Sequence, residues 1–425
     1  FGIGNLKNLR VLDLSGNDFI ELPPSFSRLE NLREIYLNDE NAMDINQSLS
    51  TIKDLPNLRI LHLENDNLKS IPTSLLSLTK LEALYLDSNR FNSISDINWK
   101  NFENLEYLSL KNDHLKEIPI GIGSLKNLKV LDLSGNDFRV LPQSFSRLEN
   151  LREIYLNDEN AMDVNQSLSA IKDLPNLKEL HLENDNLKSI PQGLLNLTQL
   201  ETLYLNNNQL QVVAGLGGFT KLKHLRLHNN RLGEDNPNFN TDLPEDLSDL
   251  ALLEELTLYN NQLTKLPANI GNLNKLTSLK LHDNRLTSLP STINGLTSLI
   301  ELQIQGNELT VLPTTIGGLT SLEKLYLSQS SSNNNLTSLP DEIGDLTNLK
   351  ELYIENMRTY QLDGSYVYHL TSLPTTMNKL TSLEVLEASY SGIEGLVDLT
   401  NVTNLTRLQL NNNKITDLKI DAPVS

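Results

Sequence analysis

The sequence predicts an α/β solenoid: a curved, right-handed superhelix with a parallel β-sheet on its concave face and short helical or 3₁₀ segments on its convex face. Three observations predict it. The first is a pattern, L-x-x-L-x-L-x-x-N-x-L, carried for example by Leu128, Leu131, Leu133, Asn136 and Phe138, and again by Leu276, Leu279, Leu281, Asn284 and Leu286. The second is an intervening consensus, L-P-x-x-I-G-x-L-x-x, as in Leu266, Pro267, Ile270, Gly271 and Leu273. The third is composition: only 38% of the 425 residues are apolar, yet Leu recurs at fixed intervals, which suits a narrow, one-sided core.

The first Leu of each unit falls at 9, 32, 58, 81, 105, 128, 151, 177, 200, 222, 253, 276, 299, 322, 349, 383 and 405, giving seventeen units with 23 as the commonest spacing. Within L-x-x-L-x-L, alternation with period two sends Leu inward and the x positions outward, as a strand requires. Seventeen strands stacked about 4.8 Å apart would make a sheet roughly 80 Å long. Pro followed by Ile-Gly-x-Leu suits a short helical or 3₁₀ return. The consensus Asn is expected to be buried at the turn, its amide donating to and accepting from backbone groups of neighbouring units.

That ladder has gaps. Asn holds at 17, 89, 136, 208, 230, 261, 284, 307 and 413. Asp66, Asp113 and Asp185 replace it elsewhere, with Glu40 and Glu159 in two longer units, while Ser330, Met357 and Ser391 abandon the pattern. A carboxylate accepts but cannot donate, so the acidic turns are expected to be wetter or locally rearranged.

From end to end these residues resemble the leucine-rich-repeat superfamily. The L-P-x-x-I-G-x-L segment is most similar to the 23-residue units of bacterial leucine-rich-repeat proteins and of plant intracellular Ras-group-related ones. The resemblance implies a curved solenoid that binds protein or peptide on its concave sheet, and it supplies no catalytic residues.

Repetition changes the domain count. A solenoid grows by stacking and needs no second core, so residues 1–425 are read as a single domain. Residues 3–89 and 122–208 match at an offset of 119, a duplication of five units. The chain begins Phe1-Gly2-Ile3-Gly4 without Met or a signal peptide, and neither end carries a cap. More protein on either side, or end-to-end self-association through the bare edges, is expected.

A formal charge of −19 repels phosphate backbones and anionic bilayers, which argues against nucleic acid as a partner. The absence of cysteine removes disulfides and Cys-based metal sites. No apolar run approaches the roughly 18 residues of a membrane span. There is no P-loop, His-Glu-x-x-His, kinase or EF-hand pattern, so no enzyme activity, cofactor or metal is expected. Gly215, Gly217 and Gly218 mimic a phosphate loop but occupy the Ile-Gly slot of the return segment. Trp99 reads as packing. The acidic groups Asp39, Glu40, Asp44, Glu64 and Asp66, repeated as Asp158, Glu159, Asp163, Glu183 and Asp185, could offer oxygens to Ca²⁺, but solvated turns are the preferred reading. Sequons at Asn46, Asn165, Asn196, Asn335, Asn401 and Asn404 matter only in a eukaryotic secretory route.

Binding residues are sought in the outward column between the last two Leu of each strand. It contains six of the twelve Tyr: Tyr36, Tyr85, Tyr155, Tyr204, Tyr326 and Tyr353. His62, His181, Arg226 and Lys280 share it. Tyr favours half-buried strands and can stack as a purely structural stripe. A broad aromatic surface on a rigid concavity is also what partners use as an anchor. His224, Arg226, His228, Arg231, Lys280, His282 and Arg285 form a local cationic patch, readable either as a seat for an acidic segment or as charge balancing. Unit spacing lengthens to 31 from residue 222, 27 from 322 and 34 from 349, so extra residues follow those strands as rim loops. The last carries Tyr360, Tyr366 and Tyr368 around Gly364, read as a flexible point, and could also merely shield Leu370. Tyr326, Tyr353, Tyr360, Tyr366 and Tyr368 are therefore the primary candidate site.

The functional reading is a non-catalytic recognition or adhesion module with a protein or peptide partner, bacterial and cell-surface or secreted. Alternatives are a cytosolic signalling scaffold, the substrate-recognition arm of a larger enzyme, or a filament-forming protein joined through its ends.

Overall fold

The computed structural model describes residues 2–39, 42–91, 93–95, 97–158, 161–234, 243–328 and 336–420. Glu40, Glu159 and Ser330 of the ladder, the sequon Asn335, and the insertion residues 235–242 and 329–335 lie outside them. The chain forms two compact units, Phe1–Asp185 with Pro191–Leu200, and Asn186–Ile190 with Glu201–Ser425.

In the first unit, eight three-residue strands follow the predicted register: β1 (Val11–Asp13), β2 (Glu34–Tyr36), β3 (Ile60–His62), β4 (Ala83–Tyr85), β5 (Tyr107–Ser109), β6 (Val130–Asp132), β7 (Glu153–Tyr155) and β8 (Glu179–His181). Neighbours pair in parallel, so Asp13, Tyr36, His62 and Tyr85 stand side by side. The inward residues Ile35, Leu61, Leu84, Leu108, Leu131, Ile154 and Leu180 are fully buried. Each buried Leu or Ile contributes roughly 1.5–3 kcal/mol, and stacking is what buries it.

The return segments are 3₁₀ turns such as Pro24–Arg28, Ile120–Ser124 and Gln143–Arg147. In the two units of spacing 26, the extra residues permit true α-helices, α1 (Ile45–Ile52) and α2 (Val164–Ser169). Asp44 accepts from the Gln47 backbone N–H at 2.9 Å and Asp163 from that of Gln166 at 3.0 Å. Two of the acidic residues considered as calcium ligands are thus helix N-caps. Trp99 is buried against Phe102 and Gly121, as its place in the return segment suggested.

The Asn ladder forms as expected. Asn136 Nδ2 donates to the carbonyls of Leu110 and Leu133 at 2.8 and 2.7 Å, and its Oδ1 accepts from the Leu115 N–H at 2.9 Å. The expectation that Asp turns are wetter fails at Asp113, which is fully buried. Burial pushes its carboxyl up to about 8, and its Oδ1 accepts from the Asn89 backbone N–H at 2.7 Å.

The second unit holds β9 (Thr202–Tyr204), β10 (His224–Arg226), β11 (Glu255–Thr257), β12 (Ser278–Lys280), β13 (Glu301–Gln303), β14 (Lys324–Tyr326), β15 (Glu351–Tyr353), β16 (Arg358–Tyr360), β17 (Tyr366–Tyr368), β18 (Val385–Glu387), β19 (Glu394–Asp398), β20 (Arg407–Gln409) and β21 (Lys414–Lys419). β9 to β15, then β18 and β20, form the parallel ladder. Leu216–Gly218 is a 3₁₀ turn opened by Gly215 at φ +88°, and a Cβ on Gly217 would meet the Asp246 carbonyl at 2.4 Å. Those glycines serve packing.

Two features depart from the simple repeat. β16 and β17 pair antiparallel, Tyr360 opposite Tyr366, so the insertion after β15 is a β-hairpin with its own register. At the C-terminal end, β19 and β21 replace the 3₁₀ return with a second parallel pair.

Candidate functional site

Because parallel pairing is in register, each outward position becomes a column whose side chains repeat at the strand spacing. Aromatic rings in adjacent strands therefore stack. In the first unit Tyr36 lies 3.9 Å from His62, and His62 lies 4.3 Å from Tyr85, with planes within 9° and 7°. Tyr85 continues sideways onto Tyr107 at 4.7 Å. In the duplicate, Tyr155 stacks on His181 at 3.9 Å.

These rings are framed by carboxylates from the same strands and the turns after them. The Tyr36 hydroxyl donates to Glu34 at 2.6 Å, which pushes it up to about 12. His62 lies between Glu34, 3.2 Å from Nε2, and Glu64, 3.1 Å from Nδ1. His181 lies between Glu179, 3.1 Å from Nε2, and Glu183, 3.3 Å from Nδ1. Burial would lower the His181 pKa, but hydrogen bonds to Glu179 and Glu183 outweigh it and raise it. Sequence reasoning found both histidines but missed Glu34, Glu153 and Glu179. The signal was present: strand position i pairs with i+2 on the same face.

In the second unit Arg226 lies over the Tyr204 ring at 4.8 Å. Glu255 stands 3.5 Å from His224 and 3.8 Å from Arg226, and burial lowers the His282 pKa, so the expected cationic patch is partly balanced and partly neutral. Lys280 sits between Thr257 and Gln303 in the column. An unforeseen stack, His228–Tyr259–His282 at 4.3 and 4.4 Å, runs down the column two residues further along.

Tyr326 and Tyr353 stack at 4.7 Å with planes 4° apart. Both hydroxyls point at Glu351 Oε2, at 3.4 and 3.0 Å, and Lys324 holds Oε1 at 3.0 Å. Burial and Glu351 push both phenols up to about 12. The hairpin brings Tyr360, Tyr366 and Tyr368 together after the same strand. Its base is locked: Arg358 lies 4.1 Å from the Tyr366 ring and 4.3 Å from that of Tyr390, and Tyr368 Cβ leaves no room for a Cβ on Gly392. Gly364, read from sequence as a flexible point, adopts φ +86° in the turn, where its N–H donates to Gln361 O at 3.0 Å. Met357 and Leu370, on either side of the hairpin, are fully buried, while its tip is exposed: Tyr360 by 64% and Leu362 completely.

The parallel ladder with these outward columns defines a repeat protein. Family models for leucine-rich repeats match residues 8–29, 80–161 and 175–232, and a leucine-rich-repeat region model matches 240–418. A leucine-rich-repeat protein of Leptospira interrogans is similar at 31% identity and TM-score 0.64, over 91% of this chain and 86% of that one. An internalin from Listeria monocytogenes is similar at 25% identity and TM-score 0.58, over 76% and 87%. The fold is shared with the Drosophila Toll–Spatzle complex at 21% identity and TM-score 0.71, over 97% and 55%. No curated protein sequence matches. The chain belongs to the leucine-rich-repeat family.

Proposed function

We propose that this chain is a recognition or adhesion scaffold that takes a protein or peptide partner on the Tyr326–Tyr353 pair and the adjoining hairpin, β16–β17. The observation that carries the reading is the contrast within the hairpin. Its base is held by Arg358, Tyr390 and Gly392, while Tyr360, Leu362, Tyr366 and Val367 remain exposed. Apolar groups held rigidly in solvent lose little entropy when a partner covers them. Tyr adds a large contact area and a hydroxyl with few rotamers to freeze. The two similar bacterial proteins, both matched over most of their length, support a bacterial source, and we read the role as cell-surface or secreted. Among the described residues no helix is long and apolar enough to cross a membrane. We read residues 1–425 as one solenoid.

The test is selection of random twelve-residue peptides on the intact chain. Selected peptides should lose at least tenfold in affinity when residues 358–368 are replaced by a standard turn, with melting of the remainder unchanged. Binding that survives this replacement but fails in the Tyr36→Ala, Tyr155→Ala double variant would move the site to the duplicated half.

A further inference from the structure

We infer that Glu153, Glu179 and His181 form a binding site for a divalent transition-metal ion, zinc in the first instance. The inference does not depend on the peptide-binding site in the second unit. β7 supplies Glu153, and β8 supplies Glu179 and His181 two residues apart, so all three project from one face of adjacent strands. His181 Nε2 lies 3.1 Å from Glu179 Oε1 and 3.9 Å from Glu153 Oε1, and the three ligand atoms all fall within 4.8 Å of one another. Tetrahedral zinc with ligands at about 2.0–2.2 Å separates its ligand atoms by about 3.3–3.6 Å. The present spacing brackets that range.

The surroundings are those of a metal-bound imidazole. A ligating histidine turns its second ring nitrogen to a carboxylate, which fixes the tautomer and the ring plane. Here Nδ1 lies 3.3 Å from Glu183 Oε1. With its amide nitrogen turned toward them, Asn157 donates to Glu183 Oε2 at 2.9 Å and to the His181 carbonyl at 3.2 Å. Tyr155 stacks on the imidazole and donates its hydroxyl to Glu153. The His181 side chain is 8% exposed, whereas Glu153 and Glu179 are 25% and 31% exposed. The ring is therefore held while the carboxylates can close on an ion arriving from solvent. Imidazole nitrogen with two carboxylate oxygens suits zinc, and three protein ligands leave a fourth position open.

The duplication supplies an internal control. At the offset of 119, Glu34, His62 and Glu64 repeat Glu153, His181 and Glu183, with His62 Nε2 3.2 Å from Glu34 and Nδ1 3.1 Å from Glu64. Ile60 stands where the duplicate has Glu179. The first copy thus keeps the stacked histidine and its second carboxylate but lacks the third ligand. It also shows that Ile at this strand position is compatible with the fold.

Calorimetric titration of ZnCl2 into the metal-free 425-residue chain tests the site. One saturable equivalent is expected that CaCl2 does not reproduce. Glu179→Ile, which copies the first repeat, should weaken it at least tenfold without lowering the melting temperature, and His181→Ala should remove it. Ile60→Glu should create a second equivalent. Absence of saturable zinc binding would overturn the proposal. So would an equivalent that Glu179→Ile and His181→Ala both leave intact, which would place the ion elsewhere and leave these residues an ion-pair cluster.

Discussion

The backbone N–H of Asn89 donates to Oδ1 of Asp113 at 2.7 Å, joining two ladder positions of consecutive repeats inside the core. Asn89 and Asn136 use their amide nitrogens to satisfy carbonyls on either side. Asp113 can do so only while protonated, and burial raises its carboxyl from the ordinary 3.8 to about 8. Between those values the folded state holds a proton that the unfolded chain has released. The stabilisation is therefore complete below about pH 4 and is lost as pH rises through about 8. Asp113→Asn should abolish this loss. Its melting temperature should exceed that of the parent at about pH 9, and the gap should shrink as pH falls toward about 5. Parallel melting curves for the two proteins across that range would refute the assignment.

Arg358 between Tyr366 and Tyr390 predicts a local effect. Arg358→Ala removes two cation–π contacts of about 1 kcal/mol each. Amide protection across residues 358–368 should fall by roughly thirtyfold, while the ladder strand β15 keeps its own. Loss of protection in β15 would show that the hairpin is part of the core.

Gly217 and Gly218 form a matched pair. A Cβ at 217 would meet the Asp246 carbonyl at 2.4 Å, whereas one at 218 meets nothing within 4 Å. Gly217→Ala should lower stability by about 1–3 kcal/mol through overpacking, and Gly218→Ala should leave it unchanged. Equal effects in denaturant titrations would contradict the packing role.

Leu133 is fully buried in the first unit. Leu133→Ala should cost about 2–5 kcal/mol through the cavity it leaves. In a linear stack the damage should first uncouple neighbouring repeats, seen as faster hydrogen exchange in β5 to β7 before global melting. A single unchanged transition would argue that the unit unfolds as one block.

The strands were legible because their cause is local and periodic. Leu at every second position, repeated every 23 residues or so, leaves one way to bury the apolar face, and register then follows from the pattern. The Asn ladder was legible for the same reason. The acidic ladder residue was misjudged, because a pKa is a property of surroundings, and burial of Asp113 is set by the repeats on both sides. The hairpin was read as a flexible loop although Asp363-Gly364 between Thr359–Tyr360 and Tyr366–Val367 is a hairpin signal.

The sequence by itself determined the fold class, the strands, the columns they build and the absence of cysteine chemistry, because each depends only on residue type and spacing. The tertiary structure decided which column residues act together. Tyr326 and Tyr353 are 27 positions apart yet stack at 4.7 Å, Glu153 reaches a histidine 28 positions away, and Arg358 finds Tyr390 across the turn of the next unit. Side-chain orientation and burial arise from packing between repeats, and packing is a relation among residues that no single repeat contains.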